Sequence, residues 1–386
     1  MTDQKEKYFK GKRIFPDSIT DGISIKNLID SSFNGFNAAR IQEICHLVSK
    51  KMSLQDVCVG FSFSGALTPA GLGSSCVVPM IRSGIIDYIV TTGANLYHDL
   101  HHSLDLPLTQ GTPFVNDNEL FDKDIIRIYD IFMDYEVLAA TDNWLMRTFS
   151  KSEFQKRMGT RELHYLVGKF ADEVEQERGT IGKSFVAEAY RYEVPIYTSS
   201  PGDSTLGLDI AALNLIGKDI CIDSSIDVNE TAALVLEAKQ VGKSGVVVWG
   251  GGSPKNFILQ PEPALQEVLG FDIKGHDYFI QVTDARPDTG GLSGATPNEA
   301  VSWAKIDPDT VNQSVVCYSD ATIVMPLLTA YLEDCGIRRE PKRLYRKIPK
   351  LLDKLREKFL EQEDLLLGKR SVADTVKFLK ESKGAS

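Results

Sequence analysis

The most reactive arrangement in this chain is a lysine two residues after a tryptophan. Residues 296–306 read TPNEAVSWAKI. Thr296 has the side chain of a helix N-cap, Pro297 suits the first helical position, and Glu299 follows the cap by three residues. The predicted helix is short and runs out near Ser302, Trp303, Ala304 and Lys305. Burial of Lys305 against the indole would disfavour its ammonium form and lower its pKa. Only a neutral amine attacks carbon, so such a lysine suits imine chemistry. The competing reading is that Lys305 runs along Trp303 and reaches water, as most long cationic side chains do.

Other polar groups gather at a few turns. His98, His101 and His102, three of the six histidines, flank Asp99. On a helix the three share one face, and a metal site is conceivable. The H-E-x-x-H pattern is missing and no partner cluster of carboxylates or cysteines stands elsewhere, which favours contact with a substrate or cofactor instead. Residues 64–75, SGALTPAGLGSS, and residues 250–256, GGGSPKN, are small-residue turns that let a ligand approach the backbone. Neither is a strict G-x-G-x-x-G, so a tight strand-to-helix connection explains the first equally well. Asp223 and Asp320 stand where strands should end; each is open to ribose binding or to capping the next helix.

These groups need elements to hold them. VCVGFSF at 57–63, YIVTT at 88–92, GVVVW at 245–249 and the segments 278–282 and 314–318 read as buried strands. Shorter extended pieces are expected at 195–198 and 220–223. Helical spacing is expected within 25–52, and over 125–132, 149–158, 163–177 and 229–239. Strands alternating with helices predict an α/β fold: one Rossmann-like, doubly wound, mostly parallel sheet with helices on both faces. Gly, Asp, Ser and Thr at the strand ends put the chemistry along one edge of it. Residues 1–24 are polar and read as an arm or lid, residues 25–340 as a single domain, and residues 341–386 as a charged, helical, peripheral extension.

Composition narrows the function classes. The 386 residues are 42% hydrophobic and 25% charged, ordinary for a globular protein, and can bury a large core. A net charge of -10 argues against nucleic acid as a partner and suits a cationic substrate. The six cysteines form no C-x-x-C pair and read as small hydrophobes in a reducing compartment. The first ten residues are polar and no apolar run approaches the roughly 20 residues of a membrane span, so a cytoplasmic protein without a membrane partner is expected.

Several of these pieces together resemble the deoxyhypusine synthase family: residues 298–306 (NEAVSWAKI), Gly250-Gly251-Gly252, Tyr318-Ser319-Asp320-Ala321 and Thr91-Thr92-Gly93, in the family's order. The likeness runs from about residue 20 to 335. It implies a homotetramer with sites at subunit interfaces. It also implies NAD-dependent oxidation of a secondary amine, typically spermidine, and transfer of its aminobutyl group through a lysine imine. By position Lys305 is similar to the imine-forming lysine, Trp303 to its apolar neighbour and Glu299 to a carboxylate that holds a substrate amine. Ser64, Thr68, Thr92, Gly93, Gly251, Gly252, Asp288, Asp320 and Ala321 are similar to contacts of NAD.

The departures from the family pattern bear on substrate. Asn256 stands where eukaryotic members carry a histidine that acts on the substrate. Leu292 and Leu208 stand where acidic residues are expected, and in the cluster after Thr92 only Asp99 keeps its charge. Each lost carboxylate–ammonium contact is worth about 1.5–3 kcal/mol, enough to change the substrate. The pattern resembles the bacterial deoxyhypusine synthase-like branch and implies a small amine acceptor rather than a protein lysine. Agmatine coupling through a guanidinobutyl unit, or homospermidine formation, would fit; a guanidinium is planar and weakly hydrated and could stack on Tyr97 or another aromatic. Two alternatives stand beside this reading. One is a true deoxyhypusine synthase acting on a protein lysine; the other is a metal-dependent amine or guanidine hydrolase using residues 98–102.

Overall fold

The computed structural model describes residues 8–15 and 17–361 and the short strands Leu366–Leu367 and Arg370–Ser371. Its centre is a six-stranded, wholly parallel sheet. We number its strands β1 Val57–Phe63, β2 Tyr88–Thr91, β3 Ile196–Tyr197, β4 Lys243–Trp249, β5 Tyr278–Thr283 and β6 Ser314–Tyr318. Their spatial order is β3-β2-β1-β4-β5-β6. That is the order of two βαβαβ halves meeting between β1 and β4, where the chain's winding reverses and a crevice opens beyond the strands' carboxyl ends.

Alternation along the strands supplies both layers of core. Val57, Val59, Phe61 and Phe63 of β1 face one side with Val247, Trp249, Ile280 and Val282. Cys58, Val90, Val246, Val248 and Phe279 face the other, packed on Leu234 and Ala238 of the helix Ser224–Val241 and on Ile258 and Leu259 of the helix Gly252–Leu259. A strand buried on both faces has no polar side to show, which is why these strands are continuous apolar runs.

Four expectations are corrected, three of them single elements. Residues 125–132 form no helix: Ile125–Ile128 and Ile131–Asp134 are an antiparallel hairpin, turned at Tyr129 with φ 54°. The apolar spacing there fits either period, and the β-branched isoleucines decide for strand. Residues 149–158 form no helix either; the helix Tyr135–Phe149 ends there, and a 3₁₀ turn and the strand Arg157–Met158 follow. That strand pairs with Cys221–Ile222 in a separate ribbon, so the extended piece expected at 220–223 exists but lies outside the main sheet.

The segment after residue 340 is not peripheral. Leu344 and Ile348 sit in the second core layer, and the helix Ile348–Leu360 packs on Ser224–Val241. The rest of the expected extension, beyond 361, lies outside the described residues apart from the two short strands. Just ahead of it, Arg339 is threaded beneath β1 and β2. Its guanidinium donates to the carbonyls of Val57 (2.6 Å), Leu54 (3.2 Å) and Ile85 (3.0 Å), and it pairs with fully buried Asp87, which also accepts from Val59 N (2.7 Å). Of the expected arm, residues 1–7 lie outside the described residues; residues 8–15 and 17–24 form neither helix nor strand, and Phe9, Ile14 and Phe15 are exposed.

Replacing Arg339 with methionine leaves the buried Asp87 carboxylate with Lys342, 3.9 Å away, as its remaining countercharge and removes its direct guanidinium bond. Arg339→Met is expected to destabilise the fold by about 3–5 kcal/mol, read from a urea unfolding midpoint shift.

Candidate active site at the carboxyl edge of the sheet

Lys305 is presented by a helix ending. Thr296 caps the helix Pro297–Ser302, accepting from Glu299 N at 3.2 Å. At its other end Ala304 N donates to Val301 O and Lys305 N to Ala300 O, both at 3.0 Å, the paired bonds of a Schellman motif. Ala304 holds the left-handed position of that motif, with φ 56°. The chain therefore turns sharply before Lys305, which lies beyond the helix rather than on it. Its backbone is clamped from below: His276 N donates to Lys305 O at 3.0 Å and Asp307 N to His276 O at 3.1 Å. Gly275 is pressed so close that a Cβ there would meet Ile306 N at 2.5 Å.

The lysine side chain enters a cavity of about 360 Å³ lined by Lys255, Asn256, Phe279, Leu292, Glu299 and Trp303, with Leu259, Pro263 and Glu267 around them. Its Nζ donates to Asn256 Oδ1 at 2.9 Å. Burial lowers the Lys305 pKa from its ordinary value, opposed by the charges of Glu299 and Glu267. The indole is not the main cause, because Trp303 is 58% exposed and its ring centroid stands 6.0 Å from Nζ. The arrangement offers an amine whose pKa is lowered, apolar walls that could take a carbon chain and carboxylates that could take a cation.

A second cavity, of about 240 Å³, lies over the β1–β4 crevice and is lined by Ser64, Gly65, Thr92, Gly93, Thr198, Ser199, Ser200, Asp203 and Gly252 to Pro254. Two helix starts face it: Thr92 caps Gly93–Ser103, accepting from Asn95 N at 3.3 Å, and Gly251 precedes Gly252–Leu259. Glycine is required here, since a Cβ on Gly93 would overlap Ser204 and one on Gly251 would meet Ser293 Cα at 2.5 Å. Ser64 Oγ accepts from Gly251 N (3.0 Å) and Ser293 Oγ from Gly252 N (2.9 Å), so the turn is pinned from both sides. Two helix N-termini, hydroxyls, a glycine floor and one carboxylate are the equipment of a phosphate- and ribose-bearing ligand. The helix Gly252–Leu259 borders both cavities: Ser253 and Pro254 face this one, Lys255 and Asn256 the other.

The remaining sequence candidates sit elsewhere. Thr68 is buried, its hydroxyl bonded to Asn95 O at 2.8 Å. Asp99 is fully buried and holds the start of the helix Phe185–Tyr192 through Val186 N at 3.2 Å and Ser184. The imidazoles are bonded inside the protein: His98 Nδ1 lies 3.0 Å from His101 Nε2, His101 Nδ1 2.8 Å from Thr141 Oγ1, and His102 Nε2 3.1 Å from Thr68 O. Burial lowers His98 to about 4, keeping it neutral. No group of three potential metal ligands occurs among the described residues. Asp320 and Ala321 lie beyond the end of β6 on the same edge as the two cavities but line neither; Asp320 caps its helix through Thr322 N at 2.7 Å, as Asp223 caps another through Ser225 N at 2.9 Å. Asp288 is exposed and paired with Arg286. Leu208 is 63% exposed and lines neither cavity, whereas Leu292 is in the lysine cavity's wall. Tyr97 offers no stacking face: it is buried against His98 and His101, with its hydroxyl on Asp142, so the cavity's aromatics are Trp303 and Phe279.

Sequence reasoning missed Lys255, Glu267, Gln281 and Asp203. Lys255 directly follows the glycine turn and Asp203 lies in the SSPGDSTLG turn, so both had a positional signal; Glu267 and Gln281 had none. The Schellman geometry also yields a prediction. A non-glycine residue in the left-handed region costs roughly 1–2 kcal/mol, so Ala304→Gly should raise stability by about 1 kcal/mol, measured by chemical denaturation.

A deoxyhypusine synthase family model matches residues 28–332. A deoxyhypusine synthase-like protein of Nostoc punctiforme is 51% identical over 367 residues, covering 95% of this chain and 93% of its own. A protein of Methanosarcina acetivorans named as a probable deoxyhypusine synthase is 37% identical over 327 residues, 83% of this chain and 91% of its own. The crystal structure of an Entamoeba histolytica protein assigned as a deoxyhypusine synthase superposes with a TM-score of 0.57 at 15% identity, covering 85% of this chain and 99% of that one, and so shares the fold. With the family model spanning most of the chain and relatives of this similarity along nearly its full length, the chain belongs to the deoxyhypusine synthase family.

Proposed function

We propose that this transferase moves a four-carbon amine unit, aminobutyl or guanidinobutyl, through an imine on Lys305 to a small amine acceptor. The observation that carries the reading is the half-buried Lys305 amine, bonded to Asn256 and set in a cavity that also holds Glu299, Glu267 and Trp303. NAD, bound by Ser64, Thr92, Gly93, Gly251, Gly252 and Asp203, would supply the hydride acceptor for a C–N bond and return the hydride at the end, leaving the cycle redox-neutral. The neutral Lys305 amine adds to the carbon of the substrate imine; the C–N bond to the departing amine breaks, and that amine leaves with the proton that Lys305 gives up. The acceptor amine reverses this exchange and frees Lys305. Asn256 accepts an N–H from Lys305 and so turns its lone pair toward the cavity. Glu299 and Glu267 hold the cationic end of the chain, and Trp303 and Phe279 flank its methylenes.

A slot with Leu292 in place of a carboxylate suits a weakly hydrated guanidinium, or an uncharged stretch, better than a second ammonium. The open side of the lysine cavity exposes Leu292 and Trp303, which favours a homotetramer whose neighbouring subunit completes the site.

Lys305→Arg cannot form an imine and should abolish coupling of spermidine, putrescine or agmatine in the presence of NAD, while thermal unfolding and NAD binding stay near wild type. Product masses from the wild-type reaction identify donor and acceptor. Retained coupling in the variant would exclude Lys305 as the carrier. Because the Lys305 pKa is lowered, activity should fall with acid only below the ordinary lysine range, as the amine becomes ammonium. Leu292→Asp should shift relative kcat/KM toward a substrate with a free ammonium and away from agmatine by about tenfold or more.

A further inference from the structure

Two lysines share the candidate cavity, and among the described residues the second has no carboxylate in an ion pair with it. Lys255 is 4% exposed. Its Nζ donates to Gln281 Oε1 at 2.9 Å, Ala295 O at 2.7 Å and Ser293 O at 3.3 Å. The orientation of the glutamine amide is fixed, because its Nε2 donates to Gly250 O and Ser293 O, both at 2.8 Å. Oε1 must then face Lys255, so all three neighbours of Nζ are acceptors. Three acceptors need three N–H bonds, which only the ammonium form has. Among the described residues no carboxylate forms an ion pair with Lys255. It is a fixed, buried cation in the wall of the cavity that Lys305 enters.

We infer that Lys255 is a positioning residue for the reaction: its uncompensated charge in the same cavity keeps Lys305 neutral and turns the cationic end of the substrate toward Glu299 and Glu267. The inference rests on Lys305 being the nucleophile. The groups facing Lys305 are Asn256 and Lys255 from the helix Gly252–Leu259, Glu267 from the turn that follows it, and Glu299 and Trp303 from its own segment. The two carboxylates favour the Lys305 ammonium, and Lys255 is the one cation among the lining residues that opposes them. Like charges close together in a partly buried site disfavour joint ionisation, and a lysine beside another cation is a recognised way to activate an amine. Burial lowers Lys255 to about 8, Glu299 raises it, and a Lys305 ammonium would lower it, so the two lysines compete for one proton; the three acceptors around the Lys255 Nζ decide that competition in favour of Lys255. The same bonds tie residues 293–295 to the sheet, so a merely structural role has to be separated from the electrostatic one.

The test needs neither NAD nor the true donor. The full-length protein is treated with butanal and cyanoborohydride from roughly pH 6 to 10, and alkylation of Lys305 is followed by peptide mass analysis, with surface lysines as the internal reference. Lys255→Met and Lys255→Gln both remove the charge; glutamine keeps two N–H donors for the loop carbonyls, and the result is read on whichever variant unfolds at the wild-type temperature. The Lys305 labelling midpoint should move up by about one pH unit or more, and Lys255→Arg should bring it back to the wild-type value. A folded neutral variant whose midpoint matches wild type overturns the inference, as does a folded Lys255→Arg that shifts as far as the neutral variants. Absence of Lys305 labelling in the wild type at every pH is a different failure, and it falls on the nucleophile assignment itself.

Discussion

Gln281 holds the two halves of the site in register. It is buried in the middle of β5, between the switch-point crevice and the lysine cavity. One side of its amide accepts from Lys255; the other donates to the carbonyl of the glycine turn and to the loop carrying Leu292 and Ser293. Ser293 in turn receives Gly252 N, and Ser64 at the end of β1 receives Gly251 N. A strand interior rarely carries an uncovered amide, because each unmet polar atom costs about 1–3 kcal/mol there. Here the amide is fully met, and its partners come from two separate stretches of chain, residues 250–255 and the loop at Ser293. The turn that would cradle phosphates and the loop that walls the lysine therefore cannot move independently.

Charge is distributed along the cavity with the same economy. Lys305, Lys255, Glu299 and Glu267 line it together with the apolar Leu259, Phe279 and Pro263. The clamp on the Lys305 backbone from Gly275 and His276 removes the freedom that a lysine after a helix end would otherwise have. What is left to vary is the wall, which holds Leu292 and Asn256.

Much of this was legible in the chain because the physics was local. The Thr296 cap, the proline after it and the strand-to-glycine junctions at Trp249 and Phe63 depend on neighbours in sequence. The hairpin at 125–134 was not legible, because five apolar residues at 125, 126, 128, 131 and 132 satisfy a helical spacing as well, and Tyr129-Asp130 lacks the Asn-Gly signature of a two-residue turn. Asp99 and Tyr97 look available in sequence and are buried, because the helices Thr160–Arg178 and Tyr135–Phe149 close over them from far along the chain. Arg339 and Lys255 were likewise out of reach: a charge buried among carbonyls is recognised by its acceptors, and for each these come from two distant segments, 54–57 and 85–87 for Arg339, Gln281 and 293–295 for Lys255. Resemblance to a family suggests Lys305 as nucleophile; the place of Lys255 in the same cavity wall shows only in the folded chain.

The account's central claim is that Lys305 carries the transferred unit covalently. The direct measurement is reduction of the working enzyme with borohydride in the presence of NAD and a donor amine, without acceptor, followed by mass analysis of the peptide containing residues 296–306. The account predicts a stable adduct on Lys305 whose mass is that of the four-carbon amine unit of the donor. Turnover with an unmodified Lys305, or an adduct of that mass on another residue, would contradict it.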